Sequence, residues 1–184
     1  AVPGRHHDHR YSGADTQRLA DVRAAHPRQH EVEQHDVGTV AVELLEGALP
    51  GHDPFALGDM PAAVERINAA VASGARICVH GDYDADGICA TALAVLLLRE
   101  LGADPAWHLP SRFEEGYGLN GQTLARLAEE GFDLVLTVDC GITAVAEVAE
   151  AARLGLEVVV TDHHRPGDVF PACPVVAPLK GEYP

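Results

Sequence analysis

The chain has 184 residues, 28 of them acidic and 13 basic, for a net charge of −15. That length, with 47% hydrophobic residues, suffices for one globular domain with a real core, while so negative a charge argues against a broad nucleic-acid-binding surface on this segment alone. Four scattered cysteines (Cys78, Cys89, Cys140, Cys173) form no C-x-x-C pair, and no run is apolar enough for a membrane span or a signal core; a cytoplasmic protein with reduced thiols is expected, without a zinc ribbon or a disulfide scaffold.

Residues 1–38 are polar and carry six of the eleven histidines, without helical or strand periodicity. They read as a loose leader rather than a metal-binding tail, because no ligand spacing holds together. From Thr39 the pattern tightens into a domain expected to span 39–184. VAVELLEGAL suggests a short helix closed by Pro50-Gly51. Asp59 to Gly74 is an amphipathic helix, with Asp59 as N-cap, Pro61 in the first turn and Gly74 as the stop. RICVH, ending at His80, is a strand, and an apolar helix follows over Ile88 to Gly102. PAWHLP is a second strand and LNGQTLARLAEEG a helix. Asp133 to Asp139 is a third strand, TAVAEVAEAARLG a further helix, Leu156 to Asp162 a fourth strand and PVVAP a fifth.

Strand and helix alternating through short links imply an α/β fold: a doubly wound, mostly parallel sheet with helices on both faces. The strands are continuous apolar runs, as strands covered on both sides should be. Ligands in such sheets sit at the carboxyl ends of the strands. Three of those ends are acidic. The first strand runs into HGDYDADG, with Asp82, Asp84 and Asp86; the third ends at Asp139 in TVDCG; the fourth ends at Asp162 in TDHH, before His163 and His164.

D-x-D-x-D-G also opens an EF-hand calcium loop. With Asp82 at position 1, however, position 12 is Leu93 where a bidentate glutamate is required, and the run before it is a strand, not a helix. A lone aspartate at a strand end usually caps a helix, and a histidine pair before a turn can be mere surface. Three acidic ends on one sheet edge are harder to ascribe to capping. Two carboxylates about 4 Å apart repel by about 4 kcal/mol at an effective dielectric of about 20, so several together call for a counter-charge. Carboxylate and imidazole donors suit Mn²⁺ or Mg²⁺ better than a structural zinc, and a pair of such ions can activate water and clamp a phosphate.

GDYDADG, TVDCG and TDHH, in this order and spacing, resemble the first three motifs of the DHH phosphoesterase superfamily. SRFEEGYGLN (Ser111 to Asn120), with the lead-in DPFALGDMPAAVERI, resembles its RecJ-type branch, exonucleases that degrade single-stranded DNA from the 5′ end. The resemblance runs from about Asp53 to about Pro178. It implies two divalent cations, Mn²⁺ or Mg²⁺, held by Asp82, Asp84, Asp86, Asp139 and His163, with Asp139 bridging. It implies that His164 contacts the scissile phosphate or orients a ligand, and that Asp162 and His80 support from behind. Arg112 and Tyr117 become substrate contacts, Arg112 to a phosphate and Tyr117 stacking on a base; an ordinary buried tyrosine is the alternative. Cys140, with no paired histidine base, reads as packing. Single-stranded DNA, a helicase and a single-strand-binding protein are the implied partners, with no membrane.

The family carries a fourth motif with another ligating aspartate and a second domain across a cleft, whereas this chain ends at Pro184, twenty residues past His164. The expectation is an N-terminal part of a longer enzyme, a phosphodiesterase domain incomplete at its C-terminus that folds by itself but has little or no nuclease activity alone. Two alternatives stay open: another DHH enzyme acting on pyrophosphate, cyclic dinucleotides or short oligonucleotides, and a non-catalytic scaffold of the same fold.

Overall fold

A computed structural model describes residues 53–111 and 116–181. The expected leader, the helix expected after Thr39, and Arg112 lie outside the described residues.

After a short 3-10 turn over Pro54–Ala56, helix α1 spans Met60–Ser73. Gly74 ends it in the left-handed region (φ 68°), and its N–H returns to Ala70 and Val71. Strand β1 is Ile77–His80 and helix α2 is Ala85–Glu100. That helix starts three residues earlier than the apolar pattern suggested. The Asp84 carboxylate accepts the Gly87 N–H at 3.0 Å, so the acidic loop itself supplies the N-cap and Asp86 falls inside the first turn. Strand β2 (Ala106–His108) and helix α3 (Gly121–Glu129) follow, the latter capped by Asn120 through the Thr123 N–H. Strand β3 (Leu134–Val138), helix α4 (Val145–Arg153), strand β4 (Glu157–Thr161) and a short β5 (Val175–Val176) complete the order.

All four strand pairings are parallel, in the order β2-β1-β3-β4-β5. The period-2 alternation splits each strand between two cores. Ile77, Val79, Leu134, Leu136, Val138 and Val159 pack with Ala63 and Ala70 of α1 and with Val95 and Leu98 of α2. Cys78, Val135, Val158 and Val160 pack with Leu124 and Leu127 of α3 and with Val148 and Ala151 of α4. The expected two-sided cover is therefore present. Helix α2 is apolar almost all round, yet Leu93, Leu96 and Leu97 remain exposed on its outer face. No helix among the described residues is long and apolar enough to cross a membrane.

Asp59 stands at the N-cap position of α1 but caps nothing through its side chain. Its Oδ2 instead accepts the Val175 N–H at 3.0 Å and pairs with the Lys180 ammonium. It ties the start of α1 to the edge strand β5, a role set by tertiary packing rather than by helix chemistry.

Candidate metal centre

The strand order reverses between β1 and β3: the chain leaves β1 for β2 on one side, and leaves β3 for β4 on the other. In open parallel sheets this reversal opens a crevice at the carboxyl ends. The loops that follow β1, β3 and β4 carry Asp82, Asp139 and Asp162 respectively.

Close backbone packing fixes the first loop. A Cβ on Gly87 would lie 2.6 Å from Asp82 Cβ and 2.7 Å from its N and O, and one on Gly81 would lie 1.9 Å from Thr91 Oγ1. Only glycine at both places lets the first turn of α2 sit on the loop. Asp82 is buried, and its Oδ1 accepts the Tyr83 N–H at 2.7 Å. Asp84 is exposed; the Gly87 N–H, and next Asp86, hold its carboxyl below the ordinary value. Asp86 is exposed at 65% of its side chain, with Oδ2 3.6 Å from His163 Nε2.

Asp139 is the centre of the arrangement. It is the one non-glycine residue with positive φ (61°) among the described residues, a conformation that costs of order 1–3 kcal/mol unless its surroundings impose it. Its Oδ1 lies 2.9 Å from His163 Nε2 and 3.9 Å from His164 Nδ1. Its Oδ2 is buried with no hydrogen-bond partner, which costs about 1–3 kcal/mol more. Burial, then the charges of Asp86 and Asp84, push its carboxyl up, against the opposing pull of His163 and His164.

Asp162 braces the third element. Its Oδ1 accepts both the backbone N–H of His164 (3.0 Å) and the ring Nδ1 proton (2.8 Å), while Oδ2 accepts the Ile142 N–H at 2.9 Å. The Asp162 hydrogen bond raises the His164 pKa, burial opposes, and the charges of Asp162 and Asp139 add to the rise.

Two groups of potential ligand atoms, each within 4.8 Å, result: Asp82, Asp84 and Asp139, and Asp139, His163 and His164. Asp139 belongs to both. Three carboxylates, two imidazoles and a buried orphan oxygen are a donor set that fits divalent cations. Asp86 lies outside both groups, beside His163. His80 also lies outside them. It is fully buried at the end of β1, with Nδ1 3.7 Å from Cys140 Sγ. Cys140 is itself buried, and burial followed by Asp162 and Asp82 pushes its thiol far up, so it stays a packed, protonated thiol. Tyr117 is half exposed, and its hydroxyl lies 3.2 Å from His164 Nδ1, so it borders the site rather than filling the core. A cavity of about 450 Å³ adjoins the site, with Asp86, Asp139 and His163 on one side and Leu57, Val176 and Pro178 on another.

Two residues escaped the sequence reading. Thr137 Oγ1 donates to Cys140 O and Thr161 Oγ1 donates to Thr137 O, both at 2.8 Å. The available signal was a threonine in each of two strands built, apart from Glu157, of valine and leucine.

The family model for the N-terminal domain of the DHH family matches residues 76–183. The RecJ single-stranded-DNA-specific exonuclease of Bacillus subtilis is 44% identical over 120 residues, 65% of this chain and 15% of that protein. Its counterpart from Dickeya dadantii is 46% identical over 137 residues, 73% of this chain and 24% of that protein. A crystal structure of exonuclease RecJ bound to manganese superposes with a TM-score of 0.65 at 45% identity, covering 70% of this chain and 33% of that one. The Mn²⁺ complex of RecJ from Thermus thermophilus gives 0.59 at 38% identity, covering 74% of this chain and 20% of that one. The chain spans between 15 and 24% of the length of the curated relatives it matches. On the matched motifs, their meeting at one sheet edge and the shared fold, the chain belongs to the DHH family.

Proposed function

We propose that this domain serves a cytoplasmic, metal-dependent phosphodiesterase that removes 5′-mononucleotides from the 5′ end of single-stranded DNA in repair and recombination. We place the domain at residues 39–184, behind a polar leader. The carrying observation is Asp139: a strained, buried carboxylate with an unpartnered oxygen, shared by two ligand groups. A site without cations would keep that cost for nothing. RecJ relatives at 40–50% identity, and manganese-bound RecJ structures, favour single-stranded DNA over the other substrates of the superfamily.

Asp82, Asp84, Asp139 and His163 would hold two ions, Mn²⁺ or Mg²⁺, with Asp86 next to His163. Such ions lower the pKa of water and neutralise phosphate charge. The chain's own residues supply the rest. Asp162 holds the His164 ring by Nδ1, and that hydrogen bond favours the protonated ring, a form suited to meeting a phosphate oxygen. Tyr117, half exposed beside His164, offers a ring for sequence-tolerant base stacking. Hydrolysis adds water's OH to phosphorus and its remaining proton to the departing 3′ oxygen. A helicase and a single-strand-binding protein are the partners such a substrate calls for.

The test is digestion of a 5′-labelled single strand by a protein carrying this domain together with the family's fourth motif and second domain, with Mn²⁺, with and without chelator, beside Asp139→Asn. Metal-dependent release of mononucleotides by the wild type only is expected. Hydrolysis confined to pyrophosphate or cyclic dinucleotides would overturn the substrate assignment.

A further inference from the structure

Asp139 occupies the left-handed region with a side chain that gains little from it locally: one oxygen meets His163 and the other meets nothing. Something else must impose the conformation. Its own N–H continues the ladder to Thr161 O at 2.9 Å, which fixes the residue's start but not its turn. The turn is closed from below. Thr137, fully buried two residues earlier, donates its hydroxyl to the carbonyl of Cys140 at 2.8 Å and so spans Asp139. Gly141, at φ 105°, lets the chain pass this hydroxyl; a Cβ there would stand 2.9 Å from Thr137 Oγ1. Thr161 in turn donates its hydroxyl to Thr137 O at 2.8 Å, anchoring the closing residue to the neighbouring strand.

We propose that Thr137 and Thr161 form a hydroxyl clamp that positions Asp139 for both ligand groups. The inference rests on the metal reading above. Thr137 touches neither substrate nor ligand atoms; it is a positioning residue, acting through the backbone on either side of Asp139. A valine in its place keeps the shape and removes the hydroxyl. The Cys140 carbonyl then loses its partner, and Asp139 is free to relax toward extended backbone, which swings its carboxylate away from the other ligands.

Two measurements test the clamp. The first is Mn²⁺ titration by calorimetry. Thr137→Val is expected to weaken binding by about tenfold or more, as loss of a residue supporting a metal ligand does, and Thr137→Ser to restore it. Wild-type affinity in Thr137→Val would overturn the inference. If Thr137→Val does not fold, Thr161→Val, at a partly buried position, takes its place with the same two outcomes. The second is a metal-free melting cycle with Asp139→Gly, a residue indifferent to positive φ. If the clamp holds strained backbone, Thr137→Val should lower Tm in that background by only about half as much, or less, as in the wild type. Equal losses would overturn it. A wild-type protein that ignores Mn²⁺ would sink the metal reading, and the metal-free cycle would still judge the clamp.

Discussion

Asp162 and His164 are joined twice through one oxygen: Asp162 Oδ1 takes both the backbone N–H and the ring Nδ1 proton of His164, at 3.0 and 2.8 Å. The ring is thereby fixed in orientation and tautomer, and its protonated form is favoured.

In the metal-free protein, Asp162→Asn is expected to lower the His164 pKa, read by NMR titration of the ring. A histidine whose pKa is raised on folding contributes stability that is complete below its unfolded value of 6.5 and fades as pH rises through the folded value. The mutant should therefore show a flatter loss of Tm above neutral pH. An unmoved titration would mean that the carboxylate does not govern the ring.

Asp139→Asn is expected to abolish tight Mn²⁺ binding while leaving the metal-free fold as stable as the wild type or more so. Asparagine tolerates positive φ as aspartate does, and it removes a buried charge facing Asp84 and Asp86. Calorimetric titration beside thermal melting checks both halves; wild-type affinity in the mutant would exclude the shared-ligand role.

Gly87→Ala is expected to destabilise by about 1–3 kcal/mol, since the new methyl would meet Asp82 backbone atoms at 2.7 Å rather than a side chain that can swing aside. Any relief must move Asp82, so Mn²⁺ affinity should fall too. Urea unfolding gives the first effect. A change of a few tenths would show the loop to be looser than its packing implies.

The Asp59 latch gives an acid-range prediction. Burial alone would raise its carboxyl, but the Lys180 and Val175 hydrogen bonds outweigh it and the net shift is downward. Its stability contribution is then present above the ordinary value of 3.8 and lost as pH falls through the depressed one. With a third of its side chain exposed, Asp59→Asn should cost about 1 kcal/mol at neutral pH. The gap between mutant and wild-type Tm should close below about pH 4. A gap that persists into acid would point to packing instead.

In a protein carrying this domain together with the family's second domain, Tyr117→Ala is expected to weaken single-strand binding by about 1–3 kcal/mol regardless of sequence, with Tyr117→Phe near wild type and Mn²⁺ affinity unchanged in both. Fluorescence anisotropy with labelled oligonucleotides reads this. If phenylalanine loses as much as alanine, the hydroxyl contact to His164 matters rather than the ring.

The strands, their parallel pairing and the acidic edge were legible because apolar run length, glycine stops and strand-end charge are local properties. Motif order pairs Asp139 with His163, and their side chains lie 2.9 Å apart. The start of α2 at Ala85 is not carried by the apolar run, because the Asp84 carboxylate extends the helix by accepting the Gly87 N–H. Asp59 holds the expected N-cap position, but its side chain turns to partners 116 and 121 residues away, where only tertiary structure can put them. Thr137 and Thr161 looked like β-branched strand filler, and nothing local distinguishes a threonine that packs from one whose hydroxyl closes a turn.

The backbone of Asp139 also has a meaning for how such a domain changes over generations. Stability alone would let that position drift toward glycine, which removes the strain, or asparagine, which removes the charge. On the metal reading, an aspartate there sets foldability and function pulling in opposite directions at a single codon. Left-handed φ, burial and an unmatched carboxylate oxygen, found together just past the end of a parallel strand, form a combination that can be sought in any structure without reference to ancestry.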